Sequence, residues 1–272
     1  MAVKMERLNR NRAAVVLAVF SFVMIAAMAA IFMWEPDYPA APKKKEVIGV
    51  IEIQGVIEDA EYAGTLAAAV REAIEDDGVK AVVLEIDSPG GTAYLVEQVY
   101  LDLLELGEMK PIVASASMAL SGGYYLAVTA EQIYAQPTSM VGNVGVIGVG
   151  PGFLVPSEYT FESGPQKITG FSPALFPFNI TKALDSFASS VSEGRGARLK
   201  MALSELKKGG VYLGGEAVSQ GLIDGIGGRQ AAIGYAAERA GVETYTVESL
   251  VERVTDNDVN TSLRYPSIGE LN

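Results

Sequence analysis

The sequence predicts an α/β fold built on a mostly parallel sheet. Three observations predict it. Short apolar runs at 47–53, 81–86 and 111–115 alternate with longer amphipathic segments at 62–76 and 93–107, which is the βαβ pattern. Each run or helix closes on turn residues, as in Asp76-Asp77-Gly78 and Asp87-Ser88-Pro89-Gly90-Gly91. The chain has 272 residues, 49% hydrophobic and 20% charged, which suits one large domain with a sizeable core.

The elements follow in order. Residues 1–12 are polar and basic. Residues 13–34 are an apolar run of 22 with Ser21 as its polar member and Trp34 at its far end. As a helix this run is about 33 Å long, enough for a bilayer core of about 30 Å. It exceeds the apolar core of a cleaved signal peptide, roughly 7–15 residues, so a retained single-pass anchor in membrane lipid is expected. Basic residues flank it on both sides, with a slight excess that favours the N-terminus inside. Residues 35–45 hold three prolines and three lysines and read as an extended tether. The folded domain is expected over 46–242.

Within it, Val47–Ile53 is strand-like. The 62–76 segment places Leu66, Val70 and Ile74 on one helical face. Ala81–Ile86 is the second strand, and 93–107 the next helix, with Leu95, Val99, Leu103 and Leu106 inward. Pro111–Ser115 leads into Ser121-Gly122-Gly123, after which Tyr124–Val128 starts a helix. Gln132–Ala135 reads as a short strand, and the glycine-rich 137–148 as a groove wall or a tight turn. Residues 182–208 return to a helical pattern, Gly209–Gly215 breaks it, and a last helix covers about 229–240. Residues 243–272 are read as a C-terminal tail, loose from about 255.

Composition excludes several chemistries. The net charge is −12, which argues against a nucleic-acid surface. Seven basic and three acidic residues fall in 1–45, leaving 14 basic and 30 acidic residues in 46–272. The chain has neither cysteine nor histidine. Thiolate nucleophiles, disulfides, Cys- or His-ligated metals and a Ser-His-Asp triad are therefore excluded. No cofactor and no metal are expected. A serine nucleophile in such a chain needs a lysine, a carboxylate or an N-terminal amine as its base.

Ser121 is the candidate nucleophile. A serine at a strand-to-helix corner presents its hydroxyl outward, and the N–H groups that follow it are unpaired at the helix start. Those donors can hold an oxyanion. The same residues also fit a glycine turn with Ser121 as N-cap.

Three separated segments carry a family resemblance. Asp87-Ser-Pro-Gly-Gly91, Ala119-Leu-Ser-Gly-Gly-Tyr-Tyr125, and Gly214-Gly-Glu-Ala217 with Gly221-Leu-Ile-Asp224 resemble the signal peptide peptidase A family, peptidase family S49. Gly194-Arg-Gly196 fits the same pattern. The resemblance implies a ClpP/crotonase-like fold of stacked ββα units behind an N-terminal transmembrane helix. It implies Ser121 as nucleophile, and backbone N–H groups of Gly122 and the Gly90-Gly91 turn as oxyanion donors. It further implies a lysine base, a homo-oligomer outside the membrane, and hydrophobic peptide substrates.

One segment departs from the pattern. Relatives carry the catalytic lysine in Lys-Ser-Gly-x-x-Lys-Asp. Here the stretch reads Lys167-Ile-Thr-Gly-Phe-Ser-Pro173, which puts proline at the lysine position. Lys167, with Ile168, Phe171 and Phe176 as apolar company, is the candidate base. Lys182 at the start of the next helix is the other lysine in range. With neither, the chain is a degenerate homologue that binds or scaffolds peptides. A crotonase-like acyl-thioester enzyme shares only the first motif.

Overall fold

Strand β1 (Val47–Gln54) reads Val-Ile-Gly-Val-Ile-Glu-Ile-Gln, apolar on both faces through its first half, as a strand covered on two sides must be. β2 (Val79–Ser88) has the same character over Ala81–Leu84, and β3 (Ile112–Leu120) over its first three residues. In the computed structural model, which describes residues 19–26, 28, 46–148 and 176–262, these strands pair in parallel, with Val50 opposite Val83 and Leu84 opposite Ala114. β4 (Gln132–Gly142) joins β3 in parallel, and β5 (Val211–Leu213) closes that edge antiparallel. β6 (Gly225–Ile226) pairs with the start of β4, and β7 (Thr246–Ser249) flanks β1. The sheet is thus mixed, in the order β5-β4-β3-β2-β1-β7 with β6 beside β4.

Helices cover both faces. α1 (Ala60–Glu75) and α2 (Ala93–Met109) bury Leu66, Val70, Val99 and Leu103 in one cluster with Ile51, Ile53, Leu84 and Ile86. α7 (Arg229–Ala240) covers the other face, where Ala232, Ile233 and Ala236 meet Ile48, Val50, Val83 and Val113. Between them come α3 (Gly122–Ala127), α4 (Phe176–Arg195), a 3₁₀ turn at Gly196–Arg198, α5 (Leu203–Leu206) and α6 (Gly214–Gln220). The helical pattern expected over 182–208 is therefore divided. Gly196, at φ 52°, turns the chain into the 3₁₀ segment.

Two further stretches differ from expectation. β4 runs past Ala135 to Gly142, through part of the glycine-rich segment. The pairing jumps from Ala116–Ala135 to Met118–Met140, so the residues around Pro137 bulge out and the missing proline N–H costs no ladder bond. The stretch set apart as a tail supplies β7 and α8 (Leu250–Ser262). Leu250 is fully buried against β1, where a β-carbon on Gly49 would lie 2.6 Å from its Cδ1. Arg253 bonds Glu72 at 2.9 Å, Asp76 at 2.8 Å and Glu248 at 2.5 Å, tying α8 to α1.

Of the expected anchor at 13–34, residues 19–26 and 28 are described. They are helical and exposed, and the rest lies outside the described residues. Among the described residues, no helix is long and apolar enough to cross a membrane. The tether at 35–45 also lies outside them.

Candidate active site

Ser121 joins β3 to α3 with φ 49° and ψ −120°. That conformation is sterically costly for a residue with a β-carbon, of the order of 1–3 kcal/mol. A serine on a strained strand-to-helix turn is the arrangement of a nucleophile elbow, with the hydroxyl lifted off the sheet. Two hydrogen bonds hold the strain. The Ser121 N–H donates to the Gly142 carbonyl at 2.9 Å, and its carbonyl accepts from the Tyr125 N–H at 2.9 Å. Ser121 is partly exposed. Among the described residues, none hydrogen-bonds its Oγ, so it caps nothing. Ser121 thus holds the N-cap position that the turn reading gave it, but without a side-chain capping bond.

Glycines let three strand ends converge on this corner. A β-carbon on Gly90 would lie 2.6 Å from the Gly122 nitrogen and 2.9 Å from the Ser121 β-carbon. One on Gly123 would lie 2.6 Å from the Ser88 carbonyl oxygen, and one on Gly122 would strike Val96 of α2 at 2.8 Å. The site therefore sits at the carboxyl ends of β2, β3 and β4, where open α/β sheets place their ligands.

Backbone donors can be assigned by accounting. Gly122 is the first residue of α3, so its N–H has no carbonyl one turn back. The Gly90 N–H donates to Ser88 Oγ at 3.1 Å, and that hydroxyl donates to the Gly55 carbonyl at 2.7 Å. Ser88 thus pins the turn. The Ile57 N–H donates to the Gly90 carbonyl and the Thr92 N–H to the Ile57 carbonyl. Along an extended segment alternate groups face opposite ways. The Gly91 N–H therefore faces away from Ile57, toward the side where β3 ends. Gly122 and Gly91 are thus candidate amides for an oxyanion, while Gly90 provides the close approach.

Lys167 lies outside the described residues. Lys182 is described, exposed on α4. Lys207 pairs with Asp185 at 2.7 Å and Lys208 with Glu205 at 2.6 Å, so both are engaged on the surface.

The model of "Peptidase family S49" matches residues 105–154, which include β3, Ser121 and β4. A protein named as a protease from Synechocystis sp. is 31% identical over 262 residues, covering 85% of this chain and 91% of that protein. The chain belongs to peptidase family S49. Protease 4 of Haemophilus influenzae is 32% identical over 246 residues, covering 78% of this chain and 38% of that protein. The chloroplastic serine protease SPPA of Arabidopsis thaliana is 30% identical, covering 70% of this chain and 30% of that protein. The chain thus matches less than two-fifths of the length of these two larger S49 relatives. A solved membrane-bound stomatin-specific protease with a substrate peptide overlaps loosely, at TM-score 0.49 and 16% identity over 78% of this chain and 99% of that one.

The remaining residues that carry the S49 resemblance are structural. Arg195 is 1% exposed and grips Asp224 with two bonds of 2.9 and 2.6 Å. Its Nε donates to the Gly221 carbonyl at 2.9 Å. Asp224 also accepts from the Ile133 N–H at 2.7 Å. Burial alone would raise the Asp224 pKa. The bonds and charge of Arg195, the Ile133 N–H and Arg198 outweigh it and hold the carboxyl below its ordinary range. This clamp ties the end of α4 to β4. Tyr124 is fully buried, and its hydroxyl donates to the Leu222 carbonyl at 2.8 Å. Burial pushes that phenol far above its ordinary value, which keeps it a donor. Tyr125 stacks on Tyr100 at 4.1 Å and meets Phe187 edge-on at 4.9 Å, packing α2 and α4 against α3.

Proposed function

We propose that this S49 chain is a membrane-anchored serine endopeptidase of the signal peptide peptidase type that degrades hydrophobic peptides leaving the bilayer. The observation that carries the peptidase reading is the strained, uncapped Ser121 set beside the Gly122 and Gly91 amides in a chain with no histidine. The apolar run at 13–34 supports a substrate reached from the membrane. Membrane residence on the extracytoplasmic side, a ClpP/crotonase-like arrangement of ββα units and a homo-oligomer belong to the same proposal.

The proposed reaction runs in two halves. Ser121 Oγ attacks the scissile carbonyl carbon as its proton passes to the neutral amine of Lys167. The carbonyl oxygen becomes an oxyanion that accepts from the Gly122 and Gly91 N–H groups. The Lys167 ammonium returns the proton to the leaving amine, and an acyl-enzyme on Ser121 remains. Water, deprotonated by the same lysine, releases the acid and restores Ser121. A lysine can do this only if burial lowers its pKa from about 10.4.

The test is labelling by a fluorophosphonate and cleavage of a hydrophobic peptide, in wild type, Ser121→Ala and Lys167→Ala. Labelling at Ser121 that both substitutions abolish supports the proposal, as does kcat/KM rising with pH as the amine deprotonates. Peptide cleavage that survives Ser121→Ala would sink it. A wild-type chain that binds the peptide and never labels would instead be the non-catalytic scaffold.

A further inference from the structure

Among the described residues, two other than glycine hold a positive φ: Ser121 at 49° and Asn143 at 54°. They are linked by a single peptide unit. The Ser121 N–H donates to the carbonyl of Gly142, the residue before Asn143. Gly142 is itself at φ 107°, so β4 ends in two successive left-handed residues. Neither an elbow nor a strand end keeps such a conformation without outside support.

The support comes from the turn before β5. The Asn143 N–H donates to the Gly210 carbonyl at 2.7 Å, and Asn143 Nδ2 donates to the Gly209 carbonyl at 3.0 Å. Space there is tight: a β-carbon on Gly142 would lie 2.9 Å from the Gly210 oxygen. Beyond the turn the β5 ladder takes over, with Gly142 opposite Val211 and Val141 opposite Tyr212. Asparagine combines tolerance of the left-handed region with a side-chain donor that reaches a carbonyl. Glycine would keep the first property and lose the second. Aspartate would keep the size and turn an acceptor oxygen toward the Gly209 carbonyl.

We propose that Asn143 is a positioning residue for Ser121: its carboxamide locks the Gly142 carbonyl, and that carbonyl holds the elbow in its reactive conformation. Asn143 need touch no substrate. The effect on catalysis rests on the reading of Ser121 as nucleophile, whereas the mechanical link between the two residues does not.

The experiment compares the full-length wild type, Asn143→Gly and Asn143→Asp. It reads kcat and KM on a peptide, fluorophosphonate labelling, hydrogen exchange at the Ser121 amide, and folded fraction by circular dichroism. A displacement of about 1 Å at a reacting group costs on the order of 100-fold. A partial release in Asn143→Gly is expected to lower kcat about tenfold with KM within about twofold. Asn143→Asp is expected to fall further. Ser121 amide exchange is expected to quicken in both while the fold persists. Unchanged kcat and exchange in both variants would overturn the proposal. So would a rise in KM alone, or a kcat loss matched by loss of folded protein. An inert wild type whose Ser121 amide still quickens in the variants would refute the peptidase reading and leave the link standing.

Discussion

Replacing Gly90 by alanine tests the convergence of strand ends most directly. The new methyl would lie 2.6 Å from the Gly122 nitrogen, 2.9 Å from the Ser121 β-carbon and 3.1 Å from the Leu120 oxygen. Two of these are backbone atoms, so no side chain can swing aside to make room. Gly90 is also at φ 103°, where a residue with a β-carbon is strained by about 1–3 kcal/mol. Overpacking adds about 1–3 kcal/mol. The expected loss is roughly 2–6 kcal/mol, or a Tm lower by about 4–24 °C for a domain of this size. The catalytic effect follows from which atom is struck. Gly122 must retreat, and its N–H is one of the two oxyanion donors proposed. Loss of such a donor costs about 10²–10³ in kcat. Gly64→Ala is the control. It lies inside α1 with nothing within 4 Å of the added carbon, so it should gain about 0.5–1 kcal/mol with kcat unchanged. Melting curves and peptide kinetics on both variants make the measurement. A folded Gly90→Ala chain with wild-type kcat would refute the placement of Gly122 in the site.

Two other substitutions probe the clamp behind the elbow. Asp224→Asn leaves Arg195 charged, with its side chain wholly buried, and should cost about 3–5 kcal/mol, read as a fall in urea midpoint. Its pH dependence has a fixed sign. The Asp224 pKa is lowered in the folded chain, so its contribution is present above the ordinary carboxyl value of about 3.9 and is lost as pH falls through the lowered one. Acid unfolding should therefore be steeper below about pH 4 in wild type than in Asp224→Asn. Tyr124→Phe leaves the Leu222 carbonyl buried without its donor and should cost about 1–3 kcal/mol, measured by the same titration, with KM unchanged.

The sequence made the alternating frame readable because β1, β2 and β3 are apolar runs bounded by turns, and α1 and α2 carry a single apolar face each. It concealed the short strands. β5, β6 and β7 have two to four residues, too few to show a period, and they exist because a longer neighbour offers them an edge. β4 was hidden past Ala135 because its bulge carries Pro137, which reads as a strand breaker. At the site, Ser121, Gly122 and the Gly90-Gly91 turn were legible from the corner motif and the family resemblance. The division of labour within that turn was not: which glycine donates and which merely yields space depends on a bond to Ser88 Oγ. Asn143 gave no local signal at all, since a left-handed asparagine is recognised by its backbone and not by its neighbours in sequence.

The absence of imidazole shapes how such a site has to be held. A triad histidine is oriented by a buried partner, whereas a lysine amine sits on a flexible stem and becomes a base only where burial lowers its pKa. Control therefore shifts to the segments on either side of it. Residue 167 follows the Asn143 clamp and precedes α4, and α4 is fixed at two places. Phe187 packs edge-on against Tyr125 of the elbow helix, and Arg195 locks the helix end to Asp224. The elbow is thus braced by the end of β4, Asn143 by the turn before β5, and α4 by α3 and the Asp224 clamp. Loss of the Asn143 bonds should therefore reach Ser121 through backbone geometry, whereas loss of the Asp224 clamp should be felt first as lost stability.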